Sequence, residues 1–304
     1  MYKIAIALLL AATAAVAQAA PPQATSTPRS FSSNLVEKRQ GPTYSDINCA
    51  GFVTPEIIPI KDLVLAGERA PNATRFGTGD VIYLTGPGIT VGQKYRLVRR
   101  VKDPNKNELF PGQQKLLKKM GGMYADLGIV KVNYIDHDVA IAKVEFSCES
   151  IVPGDLVIPF VDRPAPVFSQ SASDFQKFAV PKSDITGQIA MAKDFDSFVA
   201  TGAKVYLNIG SNEGLKPGEY LRVTRGYDPA KEAPIDKLSE KASVWEDTQH
   251  KMPSPTPKAL AYLPHRGIGE IMVLSVTPTT ATGMVILTLE DMHLGDQVEV
   301  PVTH

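Results

Sequence analysis

Short apolar runs alternate with glycine-marked turns along most of the chain. Val81 to Leu84 is a short apolar run, and Tyr95 to Val98 alternates with Arg96 and Arg99. Both predict strands, the second half-buried. Gly128 to Ile135 and Val139 to Phe146 are two longer strand candidates joined by a short turn, and Gly154-Asp155 turns into a closing run from Leu156 to Ile158. Gly88 and Gly92 bracket a tight turn where positive φ is expected. Gln113 to Met120 carries the spacing of a short amphipathic helix. The pattern predicts a mainly β chain of about five short antiparallel strands per unit, closed as a small barrel or sandwich.

The unit occurs twice. Residues 127–159 align with 268–300 without a gap, sharing Gly128/Gly269, Val132/Val273, Ala140/Ala281, Val144/Val285, Gly154/Gly295 and Asp155/Asp296. Earlier blocks match in the same order. Gly79 to Leu84 matches Gly202 to Leu207, Gly88 to Gly92 matches Gly214 to Gly218, Arg96 and Arg99 match Arg222 and Arg225, and Asp103-Pro104 matches Asp228-Pro229. The reading divides the chain into a 46–162 copy, a Pro- and Ser-containing linker over 163–184, and a 185–304 copy. The second copy carries a longer insertion over 230–267.

Comparing faces of the repeated hairpin separates core from exterior. One face is apolar in both copies: Val130/Ile271, Val132/Val273, Ala140/Ala281, Val144/Val285 and Phe146/Leu287. The opposite face diverges, with Lys131, Asn133, Lys143 and Glu145 in the first copy against Met272, Leu274, Met284 and Ile286 in the second. A face polar in one copy and apolar in the other should be wet in the first and covered in the second. Met272, Leu274, Met284 and Ile286 are therefore the candidate partner or interdomain face, docking on the first copy, the insertion or another protein. The alternative is a sandwich in which both faces are internal.

The N-terminus sets the expected compartment. Lys3 precedes an apolar run from Ile4 through Val16, and Ala17-Gln18-Ala19 supplies a small-x-small cleavage pattern. Residues 1–19 read as a secretory signal peptide, too short for the roughly 20 apolar residues of a span. Residues 20–45, rich in Pro, Ala, Ser and Thr, read as a disordered leader in which Lys38-Arg39 is an ordinary charge pair rather than a processing site. The exported chain has two cysteines, Cys49 and Cys148, expected to form a disulfide rather than remain buried thiols. Cys148 shares the parity of the core face, so a bridge to Cys49 would pin the N-terminal segment over the first copy.

The ordered blocks resemble a bacterial envelope family. A Gly-Asp-Val-x-Tyr-Leu strand, Gly-x-x-x-Gly, an Arg-ending strand, a Leu-Gly-x-x-x-Val strand and a Gly-Asp-x-Val closure are similar to the β-domain that accompanies peptidoglycan-binding LysM modules. They are also similar to the C-terminal domain of flagellar assembly protein T. The resemblance implies a non-enzymatic envelope role; no LysM module is visible and no family active site is carried over.

Charge and candidate chemistry narrow the function. The 32 basic and 32 acidic residues balance, which argues against nucleic acid as a partner. Asp136-His137-Asp138 invites a metal, but its counterpart Thr277-Pro278-Thr279 marks it as a hairpin tip. His250, His265, His293 and His304 have no ligand spacing, and the glycine-rich Gly86 to Gly88 and Gly210 to Gly214 lack a phosphate-loop lysine. Arg99, Arg100, Arg222 and Arg225 read as solvated strand-end charges rather than a glycan site. No catalytic residue, cofactor or metal is expected. The expectation is a non-catalytic periplasmic or cell-surface binding or scaffold module acting on an envelope protein. The alternatives are a peptidoglycan or carbohydrate binder, and an enzyme with an interdomain site.

Overall fold

The computed structural model describes residues 38–69, 73–172, 175–178, 181–226 and 263–301. The signal-peptide and leader expectations up to residue 37, residues 230–262 of the insertion with His250, and His304 lie outside the described residues.

The fold is mainly β, as two six-stranded antiparallel barrels with the same strand order. The first contains β2 (Leu63–Gly67), β3 (Val81–Thr85), β4 (Lys94–Val101), β5 (Gly122–Asp136), β6 (Val139–Ser147) and β7 (Leu156–Pro159), preceded by β1 (Phe52–Thr54). The second contains β8 (Pro181–Ala192), β10 (Lys204–Leu207), β11 (Tyr220–Arg225), β12 (Arg266–Val276), β13 (Ala281–Thr288) and β15 (Gln297–Pro301). Around the first ring the order is β6-β5-β4-β7-β2-β3, and around the second β13-β12-β11-β15-β8-β10. Each strand therefore meets the counterparts of the same neighbours.

Each barrel is filled by its own aliphatic side chains. Leu84, Leu97, Leu127, Val130 and Val132 are buried in the first, and their counterparts Leu207, Val223, Ile268, Ile271 and Val273 in the second. A small plug closes each core. Phe76 bridges Ile151 in the first barrel; in the second, β9 (Phe198–Val199) pairs with β14 (Met292–His293), setting Val199 opposite Met292. This explains the shared Gly128/Gly269. A Cβ at either would strike the carbonyl of the facing strand, Phe146 or Leu287, and at Gly269 it would also collide with the plug residue Met292. Of the expected turn glycines, Gly92 and its counterpart Gly218 have φ of 81° and 88°, whereas Gly88 does not enter the left-handed region.

Three sequence expectations need correction. The leader does not extend to residue 45 and the 163–184 segment is not a free linker. Residues 38–54 form an ordered strap. It contains α1 (Tyr44–Asn48), whose start is held by a reciprocal Thr43–Asp46 capping box, and runs into β1 on the edge of β5. Lys38 pairs with Ser171 of the following segment, Arg163 is ion-paired to Asp126, and β8 already begins at Pro181. The insertion ends before 267, because β12 starts at Arg266. The expected helix is present as α2 (Gln113–Met120), burying Gln113 and Met120 and exposing Lys115, Lys118 and Lys119.

One compact unit spans both barrels. Val53, Met120 and Met123 of the first half pack with Ala190, Met191 and Tyr206 of the second. Cys49 and Cys148 are disulfide-bonded. Because this bond closes a loop between residues 99 apart, a Cys49→Ser/Cys148→Ser chain should lose ~2–4 kcal/mol in urea unfolding. An unchanged midpoint would show that the other strap contacts suffice.

Candidate functional site

The strap joins the two barrels through long-range polar contacts on both sides. On the second barrel, Arg39 is buried and ion-paired to buried Glu270 of β12, with its Nη2 3.0 Å from Oε1. The ordinary-charge-pair reading of Lys38-Arg39 is therefore wrong for Arg39. Gln40 N donates to the Ile286 carbonyl at 2.8 Å, and Asp46 is ion-paired to Lys204. Ile47 and Ala50 then cover Met272, Leu274, Met284 and Ile286, all buried in one apolar cluster. Lys131, Asn133, Lys143 and Glu145, their counterparts on the first barrel, are exposed. The apolar face is thus covered from within the chain and is not available to a separate partner.

On the first barrel, the strap sits on a buried charge cluster that the sequence reading missed. Asp126 is fully buried and accepts from Gly51 N at 2.8 Å and from Arg163 Nη1 at 2.7 Å, with Arg96 Nη1 at 3.4 Å. Arg96 also donates to the Asn48 carbonyl and side-chain oxygen at 2.9 and 3.1 Å. Burial, with Arg163 beside it, holds the Arg96 guanidinium below its ordinary value while Asp126 opposes the shift. Gly51 approaches closely enough that a Cβ would strike both the Tyr206 hydroxyl and the Tyr124 carbonyl. Tyr206, whose phenol burial pushes upward, donates to the Ala50 carbonyl at 2.9 Å.

The counterpart arginine keeps its place but changes partner. Arg222 is as buried as Arg96, yet Gly267 stands where Asp126 does, and its carboxylate comes from Glu299 on β15 with Nε to Oε1 at 2.8 Å. Copy one has Ile158 at the Glu299 position. The acid has moved from one neighbour of the arginine strand to the other, and Asp126 bonds the strap through Gly51 N.

The repeated Gly-Asp turns are likewise structural. Arg99 Nε is 2.7 Å from Asp155 and its Nη2 reaches the Ser150 carbonyl at 3.0 Å, while Asp155 accepts from Val152 N at 2.7 Å. Arg225 repeats this with Asp296, the Asp291 carbonyl and His293 N, at 3.0, 2.7 and 2.7 Å. The solvated-charge reading of Arg99, Arg222 and Arg225 is therefore corrected; Arg100 does remain exposed. His137 lies at an exposed hairpin tip, where φ is 53°, between Asp136 of β5 and Val139 of β6.

Arg266, with Lys177 adding to it, holds the Glu290 carboxyl down at about 2 from an ordinary 4.5, against some desolvation. Its contribution to stability is present above about 4.5 and is lost as pH falls toward 2. An NMR titration should find the Glu290 midpoint near 2 and see it return toward 4.5 in Arg266→Gln; an unmoved midpoint in that variant would contradict the assignment.

Next to the strap is an open cavity of about 410 Å³ lined by Val53, Val101, Leu117, Met123 and Met191, with Arg100 and Lys102 at its rim. It takes walls from both halves of the chain, Met191 coming from β8. A second cavity of about 360 Å³ lies at the first barrel's end between Pro87, Ile89, Ile135 and His137. Among the described residues, no group of His, Cys, Asp and Glu is arranged to hold a metal ion, and no helix is long and apolar enough to cross a membrane. A scan against protein-family models and a search of curated proteins return no match to this chain.

Proposed function

We propose that the chain is a non-catalytic exported envelope protein that works as a binding or scaffold module through protein–protein contact. The observation that carries the reading is the joining of two side-chain-filled barrels into one body by a partly buried, disulfide-anchored strap. Filled interiors leave the exterior and the seam between barrels as the binding surfaces, and a shared core keeps those surfaces in constant relation. The disulfide supports an oxidising compartment. The repeated strand blocks support grouping the two barrels with the envelope β-domains that accompany LysM modules and with the C-terminal domain of flagellar assembly protein T.

The test uses the full chain, produced with its own leader in the cells that encode it. A photo-crosslinking residue placed at exposed Arg100 or Tyr134 should give a discrete protein adduct in the envelope fraction, and purified sacculi should not carry the protein into the pellet. Pelleting with sacculi and no protein adduct would favour the peptidoglycan reading instead.

A further inference from the structure

Resting on the protein–protein reading, we infer that the 410 Å³ cavity beside the strap is the docking site for an acidic segment of a partner protein that inserts an apolar side chain. Two independent features coincide there. The first is shape and chemistry: the walls come from Val101, Leu117, Met123 and Met191, and the volume falls within the ~300–1,000 Å³ of ordinary ligand pockets. Thioether walls adapt to the shape of an inserted side chain.

The second feature is unbalanced charge on an otherwise neutral chain. Arg100 and Lys102 stand at the rim, and Lys115, Lys118 and Lys119 line the exposed face of α2, the helix that contributes Leu117. None of these cations has an ion-pair partner among the described residues. The strand-borne Arg96, Arg99, Arg222 and Arg225 are each matched to a carboxylate. Asp103 also lines the cavity, accepts from the Asn105 backbone at 2.7 Å and offsets one of the two cations there. Along the cavity's lining basic residues outnumber acidic ones, Arg100 and Lys102 against Asp103, and the exposed lysines of α2 add to that excess, which selects a partner that presents both acidic charge and an apolar anchor. The seam places the anchor against Met191 of the second half and Met123 of the first, so the site needs both barrels.

The probe is a fluorescein-labelled peptide, DEDLFEDE, followed by anisotropy on the intact oxidised chain. Controls are DEDSSEDE, which lacks the anchor, KRKLFKRK, and vesicles of phosphatidylglycerol in phosphatidylcholine. DEDLFEDE should bind, salt should weaken it, and Arg100→Glu/Lys102→Glu should weaken it about tenfold or more. Lys216→Glu, at an exposed site on the second barrel, should leave it unchanged. Both variants carry changes at exposed positions, and their melting temperatures verify the fold. The inference is overturned if DEDSSEDE binds as well as DEDLFEDE, if the double reversal has no effect, or if no peptide binds. Vesicle binding in place of peptide binding would overturn the inference and the protein–protein reading together. A cellular protein adduct mapped away from Arg100 would overturn the inference alone.

Discussion

A Met284→Asp chain should lose at least ~4 kcal/mol of stability, because the substitution removes a fully packed thioether and leaves a carboxylate without a partner. Met284 is fully buried between barrel two and the strap, packed with Ile47 and Ala50. Water cannot reach the new charge unless the strap lifts. Lifting it would expose Met272, Leu274 and Ile286 together. The matched control is Lys143→Asp at the equivalent position of the first barrel. Lys143 is exposed, so this change should stay within ~0.5 kcal/mol of the parent. Urea unfolding of the pair measures both. Equal effects at the two sites would mean that the strap does not cover the second face.

Asp126→Ala should be nearly as severe, at ~3–5 kcal/mol, the usual range when one member of a buried ion cluster is deleted. It leaves Arg96 and Arg163 facing each other without the carboxylate and removes the acceptor of Gly51 N. The strap loses its seat, so the Cys49–Cys148 bond should also become easier for dithiothreitol to reduce. Glu299→Gln offers a comparison at the counterpart arginine. It should destabilise the second barrel without changing the reduction rate, since Arg222 and Glu299 pair across β11 and β15 of the second barrel and the disulfide joins Cys49 to Cys148 beside the first. If Asp126→Ala leaves the reduction rate unchanged, the charge cluster is not what holds the strap.

The barrels were legible in the sequence because each copy checks the other. The face assignments survived at Val130/Ile271, Val132/Val273, Ala140/Ala281 and Val144/Val285 although both hairpins contain irregularities, whereas Phe146, expected in the core, is half-buried against Tyr44 of the strap. The register shifts between Ile129 and Val130 and again between Val132 and Tyr134, and the second barrel shifts at the corresponding places, Glu270/Ile271 and Val273/Ser275. The duplicated bulges cancel in the comparison. The sixth strand of each ring, β2 and β8, was not legible. Their sequences share no block, and what identifies them is pairing, to β3 and β7 in one barrel and to β10 and β15 in the other.

The strap was hidden for a related reason. Residues 38–46 have the composition of a polar tail, and their order derives from partners far along the chain, Glu270, Ile286 and Lys204. One signal was present. Asp126 interrupts an apolar run between Ala125 and Leu127, and Gly267 replaces it in the other copy. A lone acid in a core strand needs a buried cation, and Arg96 on the neighbouring strand supplies one. The charge pattern beside the 410 Å³ cavity was only half legible. Lys115, Lys118 and Lys119 are evident along α2, but the apolar wall from Met191 depends on how the two barrels meet.

The central claim is that the duplicated barrels act as one body. Scanning calorimetry of the oxidised chain from residue 20 onward tests it directly. The account predicts a single transition whose calorimetric and van't Hoff enthalpies agree. Two separable transitions, one retained after Met284→Asp and the other lost, would contradict it.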